Sequence, residues 1–261
     1  MSMRFITMKT DAAICTIMLN RPEKRNAINQ EMIHELSHTL QSILHDNKVS
    51  VLIIKGNGET FSAGADIDWM RKIASSSDAE NGADAHVLAK FLYQLYTFPK
   101  PTIALAHGVV LGGGLGMLCA CDIAIAADDA SFGFPEVSIG LAPSCISPYV
   151  LSAIGERQAK YYFLTGKRFD ATTALHIGLV HKIVELKDLS EGGLIVAKEL
   201  LLNGPQALHA AKQLIQSIAH EKITEELIQN TAEHLARIRH SPEAQEGLQA
   251  FLEKRKKKWQ L

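Results

Sequence analysis

No CxxC pair occurs in this chain. Its four cysteines, Cys15, Cys119, Cys121 and Cys145, sit in apolar surroundings. They read as reduced core residues of a cytoplasmic or other reducing compartment, not as a disulfide framework. Neither sign of charge dominates: 27 lysines and arginines face 28 aspartates and glutamates, for a formal net charge of −1. That balance gives no reason to expect nucleic acid or an anionic membrane as a partner. Uninterrupted apolar runs are missing too. The stretch 102–127 is broken by glycines, His107 and Asp122, so it is not read as a membrane span. The opening MSMRFITMKT lacks the apolar run of a signal peptide. No exact repeat and no low-complexity linker divides the 261 residues. They suffice for one large domain, or for a main domain with a small appendage.

What is present is a repeating order of strand, loop and helix. Residues 3–20 alternate into short strands around a turn at Asp11. LNRPEKRNAIN follows as a loop, with Asn26 placed to cap a helix. The helix expected over 30–45 carries Ile33, Leu36, Leu40 and Ile43 on one face. VSVLIIKG is a β-branched apolar run ending in glycine, as in a buried strand. NGETFSAGA is a loop leading to a helix start at Asp66, and residues 74–84, rich in Ser, Asp, Ala and Gly, read as mobile. A helix bearing Val87, Leu88, Phe91, Leu92 and Leu95 is stopped by Pro99 and Pro101. PTIALAHGVV then reads as a strand, LGGG as a loop, LGMLCACD as a helix and IAIAADDASFGF as a strand and turn. Strand signals end near residue 190, and helices are expected at about 205–220, 223–240 and 242–258. The pattern implies a layered α/β domain.

The glycines of LGGGLG, residues 111–116, match none of the common nucleotide or hydrolase motifs. GxGxxG fails because Met117 stands where the last glycine belongs. The P-loop pattern GxxxxGKS or GxxxxGKT is absent, as is the GxSxG of serine hydrolases. What remains is a turn that lets a substrate approach backbone N–H groups at a helix start. A second such turn is SAGAD, residues 62–66, and each follows an apolar strand. Two N–H groups converging from separate loops form an oxyanion hole, in which one donor is worth about 10²–10³ in rate. The plain alternative is that these glycines only allow tight packing of helix on sheet.

Glu136 is the only acid between Ala130 and Tyr149. In apolar surroundings its pKa should be raised toward the range useful for proton transfer; the alternative is a solvated loop glutamate. HELSH, His34 to His38, matches a zinc-protease pattern. Helical periodicity turns both histidines away from the Leu36 stripe, and position 41 is Gln where the longer motif has Gly, so no metal is expected. His107 reads as a core histidine more than as a catalyst.

FSAGADI, HGVVLGGGLGM, CDIAIAADDASFGFPEVSIGLAP and LTGKRFDATTALHIGLV, in this order and spacing, resemble the enoyl-CoA hydratase/isomerase (crotonase) superfamily. LNRPEKRNAIN matches as well, so the likeness spans nearly the whole chain. The resemblance implies a spiral core of ββα units over residues 1–198 and a C-terminal helical segment, 199–261, used in forming a trimer or a dimer of trimers. It implies an acyl-CoA thioester as substrate, with coenzyme A part of the substrate and no separate cofactor. The thioester carbonyl would sit between the N–H groups of Ala65 and Gly113, with Gly112 beside them and Glu136 as acid and base. The adenine would rest on backbone around Ala63, Ala65, Asp66 and Ile67. Lys24, Arg25 or one of Lys254, Lys256, Lys257 and Lys258 would meet a phosphate; apart from the resemblance, the basic end reads as a solvated helix terminus.

One position departs from that family. Typical hydratases carry a second glutamate where this chain has Gly116. A single-acid hydratase, a Δ3–Δ2 enoyl-CoA isomerase and a non-catalytic acyl-CoA-binding member are the readings that remain. GADIDWM and APSCISPYVLSAIGERQAKYYFLTG are similar to bacterial methylglutaconyl-CoA hydratases and their isohexenylglutaconyl relatives. On that reading Gly116 opens room for a branched or carboxylated acyl group, and Arg71, Lys72 or Ser144 meets the distal carboxylate. The apolar residues of the C-terminal helices, Ile215, Ile218, Leu227, Leu235, Leu248, Phe251 and Leu252, exceed what a small appendage buries against itself.

Overall fold

The computed structural model describes residues 3–219 and 221–260. Strands β1 (Ile6–Asp11) and β2 (Ile14–Leu19) form an antiparallel hairpin whose turn includes Ala12, at φ 49°. Helix α1 (Gln30–Leu44), strand β3 (Val51–Gly56), helices α2 (Ile67–Ala74) and α3 (Asp78–Tyr96) and strand β4 (Thr102–Ala106) follow. Next come β5 (Val109–Leu111), α4 (Gly112–Ala120), β6 (Ile123–Ala127) and β7 (Ser131–Gly133). The last strands, β8 (Phe169–Asp170) and β9 (Lys182–Val184), are interleaved with α5 (Ser147–Thr165) and α6 (Ala171–His176). Four helices close the chain: α7 (Leu189–Leu201), α8 (Pro205–Ile218), α9 (Glu225–Arg239) and α10 (Pro242–Leu252).

Six strands form one sheet in the order β1-β2-β3-β4-β6-β9, parallel except for the first pair. Its central strands β3, β4 and β6 are mostly apolar, Lys55 and Thr102 apart, because both faces are covered. Alternate residues go to opposite sides: Leu52, Ile54, Ala104 and Ala106 join the larger core with α1, α3 and α4. Val51, Ile53, Ile103 and Leu105 face Leu189 and Ala197 of α7. A smaller sheet, β5-β7-β8, pairs β5 parallel to β7 and β8 antiparallel to it. Among the described residues, no helix is long and apolar enough to cross a membrane.

Several local expectations are corrected. Asn26 caps no helix. It is fully buried at φ 51°, while Asn29 caps α1 by accepting from Met32 N at 2.9 Å. Residues 78–84 belong to α3, because Ser77 and Glu80 form a capping box that starts the helix ahead of its apolar part. PTIALAHGVV is two strands in two sheets, parted at Gly108, whose φ is +54° and where a Cβ would collide with the Glu59 carbonyl. The LGGG glycines are the first turn of α4, not a loop before it. Helix α5 is broken at Gly155, at φ 72°.

The C-terminal helices are unlike the core. Helix α8 docks through His209 Nδ1, which donates to the Pro99 carbonyl at 3.1 Å, and through a 2.8 Å ion pair of Lys212 with Asp122. Neither α8 nor α9 has a buried residue. The basic end is solvated, with Lys254, Lys256 and Lys258 exposed, but it is not α-helical: α10 stops at Leu252 and Arg255 pairs with Glu246 and Glu253. Trp259 then turns back to donate to the Leu202 carbonyl at 3.2 Å.

Candidate active site

Two turns meet at one cavity. The first, Ser62–Asp66, is stitched to Ile28 on one side. Ile28 N donates to the Gly64 carbonyl at 2.7 Å, and Asp66 N donates to the Ile28 carbonyl at 2.8 Å. In such a ladder the intervening N–H points the other way. That N–H belongs to Ala65, which is exposed and has no acceptor among the described residues. Asp66 locks the turn from beneath. One carboxylate oxygen accepts from Asp68 N and Trp69 N, capping α2, and the other takes the Arg21 guanidinium at 2.6 Å. Asp66 is 4% exposed. Burial alone would raise its pKa, but the Arg21 bond and the two amide bonds together hold it below the usual carboxylate value. The Asp66 side chain therefore faces inward as a structural anchor, leaving only its backbone for the substrate contact expected of it.

The second turn, Leu111–Gly116, opens α4, where the first N–H groups lack intrahelical acceptors. Each glycine has a different neighbour. At Gly112 (φ +47°) a Cβ would come within 2.9 Å of Glu136 Oε1. At Gly114 it would lie 2.6 Å from Ser62 Cβ, so the two turns rest on each other. At Gly113 it would meet only Ile28 Cδ1, at 3.4 Å. Gly113 is the one glycine of this turn that is partly accessible, and its N–H has no acceptor among the described residues.

Glu136 is delivered by the tight turn Pro135–Ile139 that follows β7. Burial raises its pKa, and its Oε2 is buried without a hydrogen-bond partner. Ala65, Gly113, Glu136 and Ser144 line one cavity of about 300 Å³, together with Trp69 and Ile146 among others. Backbone donors, a carboxyl with proton affinity and apolar walls are the parts needed to stabilise developing charge on a carbonyl oxygen while moving a proton beside it.

The remaining sequence candidates lie elsewhere. Gly116 is buried and opens no room: the Ile146 side chain fills the space a Cβ would enter, and Leu92 lies behind it. The expected acyl space at Gly116 is thus corrected to a packing contact. Ala63 N donates to the Arg25 carbonyl at 2.9 Å, and Ile67 is 66% exposed. Lys24 and Arg25 are exposed on the preceding turn, with Lys24 3.0 Å from Asp68. Arg71 also pairs with Asp68, at 3.1 Å, and neither it nor Lys72 lines the cavity. His107 lines a separate cavity with Lys55, Glu59 and Asp129, and its Nε2 donates to the Gly58 carbonyl at 2.9 Å. In HELSH the acid is occupied: Glu35 accepts from the N–H groups of Arg4, Phe5 and Ile6.

Sequence reasoning missed Arg21, Trp69 and Ile146, and gave Asn26 a different role. Asn26 Oδ1 accepts from Arg21 N, and its Nδ2 donates to the Asn57 and Thr60 carbonyls, so one buried amide ties its own loop to the Asn57–Thr60 loop. Only Trp69 carried a usable signal, being one of two tryptophans.

The sequence profile of the enoyl-CoA hydratase/isomerase family matches residues 9–261. The short-chain-enoyl-CoA hydratase of Clostridium acetobutylicum is 31% identical over 258 residues, covering 98% of this chain and 97% of its own. The hydroxycinnamoyl-CoA hydratase-lyase of Pseudomonas fluorescens is 34% identical over 210 residues, covering 79% of this chain and 76% of its own. The crystal structure of an enoyl-CoA hydratase from Shewanella pealeana superposes with a TM-score of 0.96 at 41% identity, covering 98% of this chain and 96% of that one. This chain belongs to the enoyl-CoA hydratase/isomerase family and has its crotonase fold.

Proposed function

We propose that this chain is a hydratase that adds water across the 2,3 double bond of an acyl-CoA thioester. Coenzyme A arrives as part of the substrate, and the reaction needs no further cofactor. The observation that carries the reading is the buried, unpartnered Oε2 of Glu136 in the same cavity as Ala65 and Gly113. In this mechanism the thioester oxygen accepts from the two free N–H groups. Glu136 takes a proton from water as the water oxygen bonds to carbon 3. The double-bond electrons pass to carbon 2 and the thioester oxygen, giving an enolate. Protonated Glu136 then returns the proton to carbon 2, so one water is added and the carboxylate is regenerated. The hydratase names of both sequence relatives support this direction.

A Δ3–Δ2 isomerase is the second reading. It is favoured because Glu136 is the only carboxylate lining the cavity, and one base suffices to carry a proton between two carbons. Enoyl-CoA thioesters assayed separately for water addition and for double-bond migration divide the two. Glu136→Gln should lower either turnover by about 10²–10⁴ while acyl-CoA binding persists. Turnover near the unmodified rate would overturn both readings and leave a role for Glu136 outside chemistry. Absence of turnover in the unmodified protein would favour a binding protein.

We also infer a trimer or a dimer of trimers, with residues 199–261 as the oligomerising segment. Ile215, Leu235, Leu248, Phe251 and Leu252 are exposed on the single chain, more apolar surface than a solvated helical hairpin retains. Sedimentation should give a trimer or hexamer; a monomer at micromolar concentration would overturn this.

A further inference from the structure

We propose that Trp69, held by Asp84, sets the depth of the acyl pocket and restricts it to short, uncharged acyl chains. This rests on the reading that the thioester carbonyl lies between Ala65 and Gly113.

Trp69 stands on α2, a helix with no buried residue. Its indole N–H donates to Asp84 Oδ1 on α3 at 3.0 Å. Beyond the Asp66 cap, this bond ties the outer helix to the inner one, and α3 contributes Ala85 and Leu88 to the same wall. The cavity is at the small end of the range for ligand sites, about 300–1,000 Å³. An indole fixed in its wall by that bond leaves little room for a long acyl chain.

Charge selects as strongly as size. Among the described residues, no lysine, arginine or histidine lines the cavity. The side-chain polar groups other than Glu136 are already engaged: the Trp69 indole with Asp84, Ser144 Oγ donating to the Ala142 carbonyl at 3.4 Å and Cys145 Sγ to the Ala85 carbonyl at 3.6 Å. The Cys145 thiol is pushed up by burial and, after that, by the negative charge of Asp84, which places a second carboxylate behind the wall. A carboxylate on the acyl chain would enter beside Glu136 with no counter-charge among the described lining residues, and an unpaired charge taken out of water is strongly disfavoured. A glutaconyl-type substrate does not fit this pocket.

The test is calorimetry of saturated acyl-CoA thioesters on the full chain, which needs no turnover. Unmodified protein should bind butyryl-CoA about tenfold or more tighter than octanoyl-CoA, since each methylene misfit is worth about that much. It should prefer valeryl-CoA over glutaryl-CoA by at least the same factor. Trp69→Ala should reverse the butyryl–octanoyl order with affinity for free CoA unchanged. Asp84→Ala should move the order the same way by less, and Trp69→Phe, which keeps an aromatic wall without the donor, should fall between. The proposal is overturned if Trp69→Ala and Asp84→Ala keep the original chain order, or if glutaryl-CoA binds as well as valeryl-CoA. If the chain order responds as described but enoyl thioesters are not turned over, only the reaction falls. If neither free CoA nor any thioester binds, the thioester site and the pocket both fall.

Discussion

The two turns that present Ala65 and Gly113 perform the same task by different physics. The Ser62–Asp66 turn is held by polar bonds: Arg21 on Asp66, Asn26 on three backbone partners, and Ser62 Oγ on the Asn26 carbonyl at 2.8 Å. The Leu111–Gly116 turn is held by close contact, with Gly112 against Glu136, Gly114 against Ser62 and Gly116 against Ile146. One is fixed by charge and hydrogen bonds, the other by the absence of side chains. A backbone donor thus needs rigid support of some kind, and a buried network and a tight fit are interchangeable means to it.

The sharpest way to break the comparison is Asp66→Ala. Removing one partner of a buried ion pair costs about 3–5 kcal/mol and leaves Arg21 uncompensated. Chemical denaturation should show a loss of that order, with activity falling as Ala65 loses its support. Acid exposes the same difference. The folded-state pKa of Asp66 lies below its unfolded value, so its stabilisation is complete above about pH 4 and is lost as pH falls through the lower folded value. Stability curves of the unmodified protein and of Asp66→Asn should therefore converge below that pH and part above it. A constant gap across the range would show that the ion pair is not the source.

The packing turn should answer to volume and not to pH. Gly116→Ala drives a methyl into Ile146, and overpacking of this kind costs about 1–3 kcal/mol. Ile146→Ala in the same chain, which removes the Cγ2 methyl that the new Cβ would meet, should recover part of that loss, a coupling that a double-mutant cycle measures. Additivity would show that the two residues do not share the space. The smallest effect is expected at Gly113→Ala. There a Cβ meets only Ile28 Cδ1, and alanine in a helix gains about 0.5–1 kcal/mol over glycine. Stability should hold or rise slightly while kcat/KM falls, because the methyl projects toward the cavity.

Much of this was legible in sequence where one residue's environment is set by its near neighbours. VLII and IALA, the hearts of VSVLIIKG and TIALA, are apolar runs because buried parallel strands must be, and Asp66 marked the start of α2. The glycine turns and Glu136 were visible as oddities of composition. Relations across the chain were not. Gly108 parts two sheets, but sheet membership is a tertiary property. Gly116 and Ile146 are thirty residues apart, and no local pattern joins them. Asn26 and Asn29 look equally fit to cap a helix; burial of the first, against Arg21, Asn57 and Thr60, decides between them. The Ser77–Glu80 capping box was written in the sequence and outweighed by the Ser- and Gly-rich composition around it.

Helix α9 brings a concentration scale into the folding of this chain. It spans 15 residues and buries none of them, and a helix of that length is marginal in water without a surface to lie on. In the trimer proposed above, its order would depend on mass action. At concentrations that favour association it is fully formed, and on dilution its equilibrium moves toward coil while the sheet and its glycine turns persist. Circular dichroism across a dilution series should lose a helical fraction near the share of α9, with a midpoint that tracks the dissociation constant of the assembly.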